Sequence, residues 1–431
     1  MHRILPPNRH PGKVMVNDPN ATLSDRGRVI AKNNIRSYFA TILDDPYDAE
    51  ANPNGFINIG TSENHTIPAE TFTYGTGPWG SPRLRTAMAA HINHFLHPST
   101  PIDASNLIFA NGVTSLCEML GFSICAPGDG ILMSRPIYQA FQIDFGAKAG
   151  VKCVFTAFQG VDQFSPACVD KYEAQLQASE REGVKIKALL LCHPHNPLGQ
   201  SYPRSTLIAL MEFCNRHSIH LLVDEIYALS VYATSSPNAV PFQSVFSFDP
   251  TPHIDPHLLH WLYGLSKDFA AGGLRLGCLH TTNPALMDAL SSITQFHWSG
   301  AANEALAADM LEDTAFLASF FGKSQALLGE RSGLARRLLE ERGVEFHSAA
   351  NAGFFLWVSL RPWLEVEDGS EGWEAEKRLV RRMGERKVFV TDGAGMKAEE
   401  PGWFRLVFSQ EEDVLREGLR RVFEAIGERK R

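Results

Sequence analysis

Seven short apolar runs alternate with helical patterns between residues 106 and 280, and this alternation restricts the fold more than any other feature. The runs cover residues 107–109, 131–133, 151–155, 189–191, 220–223, 258–262 and 274–279. Continuous apolar strands separated by helices indicate a mostly parallel sheet that helices cover on both faces. Ser205 is predicted to cap one of these helices, over residues 205–217. The chain is therefore predicted to be an α/β protein whose ligands bind beyond the carboxyl ends of the strands.

The flanking segments predict the domain organisation. Residues 1–55 are rich in Pro, Asn and Asp, with a helical patch near 24–43, and are expected to form an N-terminal arm. Residues 56–302 would form a large domain. Residues 303–342 are nearly all helix-forming and would form an interdomain helix. Residues 343–431 alternate strand and helix patterns and would form a small α/β domain.

Composition narrows the classes of function. The net charge of -8 argues against nucleic acid as the main partner. The seven cysteines form no CxxC pair and are expected to be reduced and buried, as is typical of the cytoplasm. No apolar run approaches the ~20 residues that a membrane helix needs, and the N-terminus lacks the apolar stretch of a secretory signal. We expect a cytoplasmic protein with no membrane partner and no metal site.

Lys267 lies between two of the apolar runs, 258–262 and 274–279. An ammonium group that loses hydration has a lowered pKa, and the resulting free amine can form a Schiff base with an aldehyde cofactor. The glycine-rich segment that follows allows close approach of the backbone to a ligand, and Arg275 is suited to bind a phosphate. On this stretch alone, a solvated lysine in an ordinary turn is an equally good interpretation.

Polar side chains follow two other apolar runs. Asp224 comes directly after residues 220–223, and Tyr227 follows three residues later. Because uncompensated burial of a charge is costly, Asp224 should cap a helix, form an ion pair or hold a heterocyclic nitrogen protonated. Asn196 lies just past residues 189–191, although Asn-Pro alone is a common turn.

As a set, these residues resemble the pattern of fold-type-I pyridoxal-phosphate enzymes and, within that superfamily, of the class I/II aminotransferases. The resemblance is carried by Asn196-Pro-Leu-Gly, Asp224-Glu-Ile-Tyr227, Ser266-Lys267-Asp-Phe, Arg275 and Arg405, and extends over roughly residues 55–425. It implies the aspartate aminotransferase-like fold, with a mostly parallel seven-stranded sheet in the large domain. It also implies the cofactor pyridoxal 5'-phosphate, an amino-acid substrate and a homodimer whose subunits share their active sites.

The resemblance also implies a role for each matching residue. Lys267 would bind the cofactor covalently and serve as general acid and base at the substrate Cα, and Asp224 would keep the pyridine nitrogen protonated. Arg405, in an apolar strand, would bind the substrate α-carboxylate through a bidentate fork. Asn196 and Tyr227 would bind the ring oxygen of the cofactor; Asn196 would also contact the substrate, and Tyr227 would also take part in catalysis. The ring of Tyr138 would stack on the cofactor ring. The phosphate would be bound by Gly112, Val113, Thr114, Ser266 and Arg275.

One branch of the family is favoured by two further segments. Gly60-Thr-Ser-Glu63-Asn and Glu400-Pro-Gly-Trp-Phe-Arg405 resemble the aminocyclopropane-carboxylate synthases and their fungal-type relatives. That likeness would bring Gly60 and Glu63 to the substrate.

The chain departs from the synthase pattern at three positions. His65 replaces a glutamine, Gly264 replaces a serine three residues before the lysine, and Pro78 stands where a tyrosine would reach the neighbouring subunit's phosphate. Tyr74 is the candidate to replace that tyrosine as a cofactor ligand.

Three functions remain open from the sequence. The first is an aminotransferase. The second is a lyase that expels a β or γ substituent, as a C–S lyase or a synthase does, and both reactions begin with proton removal at Cα by Lys267. The third is a non-catalytic relative that keeps the fold for binding, which the retained lysine and both arginines disfavour.

Overall fold

The computed structural model describes residues 18–32, 45, 47–56, 74–75, 77–366 and 372–427. Its larger sheet has seven strands, in the order β1-β7-β6-β5-β4-β2-β3. They are β1 Leu107–Ala110, β2 Gly130–Ser134, β3 Lys152–Thr156, β4 Ile186–Cys192, β5 His220–Asp224, β6 Leu259–Gly264 and β7 Gly277–Thr281. Only β7 runs antiparallel to its neighbours β1 and β6; the other pairs are parallel. The predicted α/β class and mostly parallel sheet are confirmed.

The last strand of that sheet is shorter than its apolar run. The run begins at residue 274, but Gly272–Leu274 forms a 3₁₀ turn and Arg275 adopts a left-handed φ of 52°. The strand therefore starts only at Gly277. This turn carries Arg275 out of the sheet, to the exposed end of the loop that contains Lys267.

Eleven helices can be numbered in the part of the chain that the structure describes. They are α1 Asp25–Lys32, α2 Pro82–Phe95, α3 Val113–Ile124, α4 Phe141–Gly146, α5 Cys168–Arg181, α6 Arg204–His217, α7 Pro284–Ile293, α8 Ala301–Glu312, α9 Thr314–Glu341, α10 Trp373–Glu385 and α11 Glu412–Ile426.

Two helix predictions need correction. Ser205 lies inside α6, whose N-cap is Pro203 and has no side-chain cap bond. The segment 303–342, predicted as one interdomain helix, contains two helices, α8 and α9, because the helical conformation is interrupted at Asp313. The Asp313 carboxylate accepts a hydrogen bond from the Phe316 N–H at 2.8 Å and so caps α9.

Apart from the edge strand β3, which is partly exposed, the strands of the large sheet are almost entirely buried on both faces. In β5, Leu221 and Val223 join one apolar cluster and Leu222 joins the other, as the alternation of side chains along a strand requires. Helices α2, α5 and α6 contribute to the first cluster, and α3 and α7 to the second. Each fully buried aliphatic side chain of this kind stabilises the fold by roughly 1.5–3 kcal/mol.

A second, antiparallel sheet follows in the chain. Its strands are β8 Glu345–Phe346, β9 Phe355–Ser359, β10 Thr391–Asp392 and β11 Trp403–Val407, in the order β10-β11-β9-β8. Phe404 and Leu406 pack with α10 and α11 in a third cluster. Arg405, between them in β11, must therefore project from the opposite face of the sheet.

Helix α9 links the two halves of the core. Leu317 and Phe321, near its beginning, pack in the first cluster, whereas Leu334 and Leu339 pack in the third. The predicted domain boundaries themselves stay a prediction. No helix among the described residues is long and apolar enough to cross a membrane.

Candidate functional site

The candidate site lies at the carboxyl ends of three adjacent strands, β4, β5 and β6. Asp224 is the last residue of β5, where it pairs with Cys192 of β4 and Leu262 of β6. Asn196 lies in the loop after β4, and Lys267 in the loop after β6. This is the edge at which an open α/β sheet binds its ligands.

Asp224 has a buried carboxylate, and its side chain is only 5% exposed. Oδ1 accepts a hydrogen bond from the Ile226 N–H at 3.1 Å. Burial raises the pKa of Asp224 to about 7, and the positive charge of Lys267 acts in the opposite direction. A cationic N–H at this position would restore the charged form of the carboxylate.

Lys267 is partly buried at the mouth of the site. Its Nζ lies 6.0 Å from the centre of the Tyr227 ring. Burial lowers the pKa of Lys267, as does the charge of Arg405, while Asp224 opposes the shift. The amine thus has the lowered basicity that the sequence predicted for a nucleophilic lysine.

Arg405 reaches across from the small sheet to the loop after β4. Its Nη1 donates to Asn196 Oδ1 at 2.9 Å, and Nη2 donates to Thr391 Oγ1 at 3.3 Å. Its Nε is buried and has no hydrogen-bond partner among the residues that the structure describes. The guanidinium lies over the Phe355 ring, with Cζ 5.4 Å from the ring centre. A carboxylate is the acceptor that this incompletely bonded fork fits best.

Two tyrosines border the same space. Tyr227 is buried, and its ring meets those of Phe354 and Phe355 edge to face, each at 5.5 Å. Burial strongly raises the pKa of Tyr227, so the phenol is neutral and can donate a hydrogen bond. Tyr138 is half-buried and packs edge to face on Phe141 at 5.3 Å. Burial raises the pKa of Tyr138, the charges of Asp144 and Asp224 act in the same direction, and the charge of Arg405 opposes them.

Gly112 and Val113, two of the residues predicted to bind a phosphate, lie at the N-terminus of α3. Gly112 is the N-cap residue, with φ of 87°, and a side chain there would collide with the Arg275 guanidinium. A Cβ at Gly277 would lie 2.6 Å from the Val113 nitrogen, so β7 passes directly against this helix end. Free helical N–H groups beside an arginine suit an anion. Thr114 is exposed at this end, and partly buried Ser266 lies on the loop that also carries Arg275.

Not every predicted site residue joins this arrangement. The Tyr74 side chain is 61% exposed and packs against Trp298, with ring centres 5.6 Å apart. Gly60 and Glu63 lie outside the described residues. Gly264 has no room for the serine of the synthase pattern, because a Cβ there would lie 2.6 Å from the Leu276 carbonyl oxygen.

Sequence reasoning missed two residues at the site. Thr391, which bonds Arg405, belongs to a two-residue strand that has too short a pattern to predict. Asp268 directly follows Lys267 and is almost fully buried. The only signal for it was its position in the Ser266-Lys267-Asp-Phe motif.

The residues of the site fit pyridoxal phosphate. The site offers an amine of lowered pKa, a buried carboxylate for a ring nitrogen, an N-terminal helix cradle for a phosphate and an incompletely bonded arginine for a carboxylate. No group of three or more His, Cys, Asp or Glu in the described ranges could hold a metal ion. Fold and site together define a fold-type-I, pyridoxal-phosphate-dependent protein.

Comparison with known proteins identifies the family. Residues 55–422 match the model of the family "Aminotransferase class I and II", so the chain belongs to that family and is pyridoxal-phosphate-dependent. It is 33% identical over 427 residues to 1-aminocyclopropane-1-carboxylate synthase-like protein 1 of Bos taurus, covering 93% of this chain and 82% of that protein. It is 29% identical over 401 residues to 1-aminocyclopropane-1-carboxylate synthase 1 of Prunus mume, covering 88% and 80%. These relatives assign the chain to the synthase-like branch.

The solved structures agree on the fold. Aspartate aminotransferase from Thermus thermophilus, solved with maleate, superposes with a TM-score of 0.65 at 22% identity, covering 82% of this chain and 84% of that one. The expected aspartate aminotransferase-like fold is thereby confirmed.

Proposed function

We propose that the protein is an enzyme that acts on an α-amino acid or a similar aminocarboxylate, most simply as an aminotransferase. The observation that carries the proposal is Arg405, whose fork is held by Asn196 and Thr391 while its buried Nε has no described partner. The charge of this guanidinium also acts on Lys267. A carboxylate bound by Arg405 would thus be held close to the amine that must act on the neighbouring Cα.

The chain's own residues supply binding and proton transfer. Arg405 binds and orients the substrate carboxylate, and Asp224 holds a proton on the ring nitrogen of the cofactor. Pyridoxal phosphate, when bound, supplies an electron sink for negative charge at Cα. Lys267, with its lowered pKa, removes the Cα proton as a general base and then donates it as a general acid. The N-terminus of α3, Arg275 and Ser266 would hold the phosphate of the cofactor.

Elimination of a β or γ substituent is the second candidate. It is supported by the names of the Bos taurus and Prunus mume relatives. Both reactions need the same lysine, carboxylate and arginine. They differ in the fate of the proton that Lys267 takes from Cα and in whether a substituent leaves the substrate.

We also propose a homodimer with shared sites. Tyr74 and Phe296 are 61% and 76% exposed, although both are aromatic. They lie near the phosphate cradle, since the Asn111 N–H donates to the His297 carbonyl at 2.8 Å and Tyr74 packs on Trp298. A second subunit would bury these rings beside the cradle. The expected cytoplasmic location stays a prediction.

A panel of amino acids added to the purified, cofactor-loaded protein tests the function. Accumulation of the pyridoxamine form with release of a keto acid supports transamination. Release of a thiol or thioether leaving group, with or without a keto acid, while the cofactor spectrum is restored supports elimination. Lys267→Ala is the control, and turnover at the parent rate in that variant would refute the assigned role of Lys267.

A further inference from the structure

The residue after Lys267 is a buried acceptor of three hydrogen bonds. Asp268 is only 3% exposed. Its carboxylate accepts from the Leu229 N–H at 2.9 Å, from the Ser230 hydroxyl at 2.6 Å and from the Tyr263 hydroxyl at 2.8 Å. A buried polar cluster whose hydrogen bonds are satisfied is rigid, so this cluster holds its members firmly.

The three donors belong to different parts of the site. Tyr263 is in β6, whereas Leu229 and Ser230 follow shortly after Tyr227. Asp268 therefore fixes the loop that carries Lys267 against the segment that carries Tyr227.

The same segment is bonded to α9 and to the start of the small sheet. The Leu229 carbonyl accepts from Gln325 Nε2, on α9, at 3.0 Å. The Ser230 carbonyl accepts from the Gly353 N–H, two residues before β9, at 2.8 Å. Strand β9 pairs with β11, in which Arg405 lies opposite Trp357. A short chain of bonds thus leads from Asp268 to the strand pair that supports Arg405.

We propose that Asp268 is a positioning residue, which sets the place of the Lys267 amine relative to Tyr227 and to the arginine side of the site. The inference rests on the proposed function, in which Lys267 must meet both the cofactor and the substrate Cα. A misplacement of about 1 Å in a reacting group can cost on the order of a hundredfold in rate. Without the Asp268 carboxylate, the backbone next to Lys267 would no longer be held in a fixed position.

Asp268→Asn is the test, because the amide keeps the size of the side chain but replaces one acceptor oxygen by a donor. The protein is incubated with increasing pyridoxal phosphate and reduced with borohydride, and the adduct on Lys267 is measured by peptide mass spectrometry. We expect half-maximal labelling to need about tenfold more pyridoxal phosphate than in the parent protein. With an amino acid that the parent protein turns over, kcat should fall about tenfold while KM changes about threefold or less.

Asp255→Asn is the matched control. Asp255 is 1% exposed and accepts from the His257 N–H at 2.9 Å, just before the start of β6 and so at the opposite edge of the sheet. This variant should lose thermal stability without change in the labelling curve or in kcat. A parent-like labelling curve and kcat in Asp268→Asn would overturn the proposal and leave Asp268 a structural core residue.

Two milder variants serve if Asp268→Asn does not fold. Tyr263→Phe and Ser230→Ala each remove one hydroxyl donor and leave the carboxylate in place. Each should shift labelling and kcat by about threefold, and parent-like values in both would overturn the proposal. If the parent protein itself forms no adduct at Lys267, the proposed function fails. If the parent labels and Asp268→Asn labels equally well, only the positioning role fails.

Discussion

Arg405 shows how a single residue can be predicted from its surroundings. It interrupts an apolar strand, and the structure confirms that its neighbours Phe404 and Leu406 are buried on the other face of the small sheet. The guanidinium, held by Asn196 and Thr391, still has N–H groups with which to bind an anion, among them that of the buried Nε.

Arg405→Lys should weaken binding of amino-acid substrates by about ten- to a hundredfold, because one ammonium group cannot reproduce a bidentate fork. Titration of the cofactor-loaded protein with substrate measures this affinity. The affinity for pyridoxal phosphate should be unchanged in the same variant. Unaltered substrate affinity would show that the carboxylate binds elsewhere.

Asp224→Asn should reveal the cost of the buried carboxyl group in the cofactor-free protein. The pKa of Asp224 is raised from 3.8 in the unfolded chain to about 7 in the folded one. The folded state therefore binds the extra proton between these values, and the contribution of Asp224 to stability falls as pH rises from about 4 to about 7.

Asparagine does not titrate, so the variant should gain roughly 2–3 kcal/mol relative to the parent protein between pH 5 and pH 8. Urea unfolding of both proteins at several pH values measures this difference. A difference that stays constant over that range would contradict the raised pKa.

At the scale of elements, the loop from β6 to β7 is shaped by glycines that face each other. Gly264 and Gly277 pair in register at the end of the two strands. A Cβ at Gly264 would approach the Leu276 carbonyl oxygen, and one at Gly277 would approach the start of α3. The backbone of this loop therefore leaves no room for the serine of the synthase pattern at position 264.

Gly264→Ser should lower stability by about 1–3 kcal/mol, as overpacking does, and should weaken binding of pyridoxal phosphate instead of adding a phosphate contact. Thermal unfolding and cofactor titration measure the two effects. Gly273→Ala is the control on the same loop, since no atom lies within 4 Å of its added Cβ. Tighter cofactor binding by Gly264→Ser would contradict this account.

Elements with long, uniform patterns were predictable, and short ones were not. The strands of the large sheet are continuous apolar runs, which only a doubly covered sheet accommodates. The break between α8 and α9 escaped prediction because no Gly or Pro marks it and Asp313 is an ordinary helix residue until its cap is seen. The two-residue strands β8 and β10 have no period at all, so Thr391 could not be assigned to the site.

The residues of the site also divide into those that a sequence pattern predicts and those that it does not. Asp224 and Lys267 were predicted because each interrupts or ends a buried run. Asp268 was not, because its partners Leu229, Ser230 and Tyr263 come from separate segments that only the folded chain brings together.

At the scale of the whole molecule, the loops after β2 and β3 of the large sheet are hydrogen-bonded to the segment that precedes β11 of the small sheet. Arg135, just after β2, donates to the Lys397 carbonyl at 2.9 Å and to the Ala398 carbonyl at 2.8 Å. Glu399 accepts in return from the backbone N–H groups of Phe158 and Gln159. These bonds join the loops after β2 and β3 to residues 397–399, which precede β11.

Arg135→Met should lower the free energy of unfolding by about 1.5–3 kcal/mol, because two charge-assisted hydrogen bonds are lost. Amide exchange at residues 397 and 398 should become faster in the folded protein. Arg83→Met is the control: its side chain is 52% exposed in an ion pair with Asp309 and Glu312, and exposed ion pairs contribute little to stability. Equal effects of the two substitutions would show that the Arg135 contacts do not hold the sheets together.

Borohydride reduction of the protein after addition of pyridoxal phosphate tests the central claim most directly. The account predicts one stable adduct per chain, located on Lys267 by peptide mapping and lost in Lys267→Ala. A protein that stays colourless with added pyridoxal phosphate, or an adduct found on another lysine in place of Lys267, would contradict it.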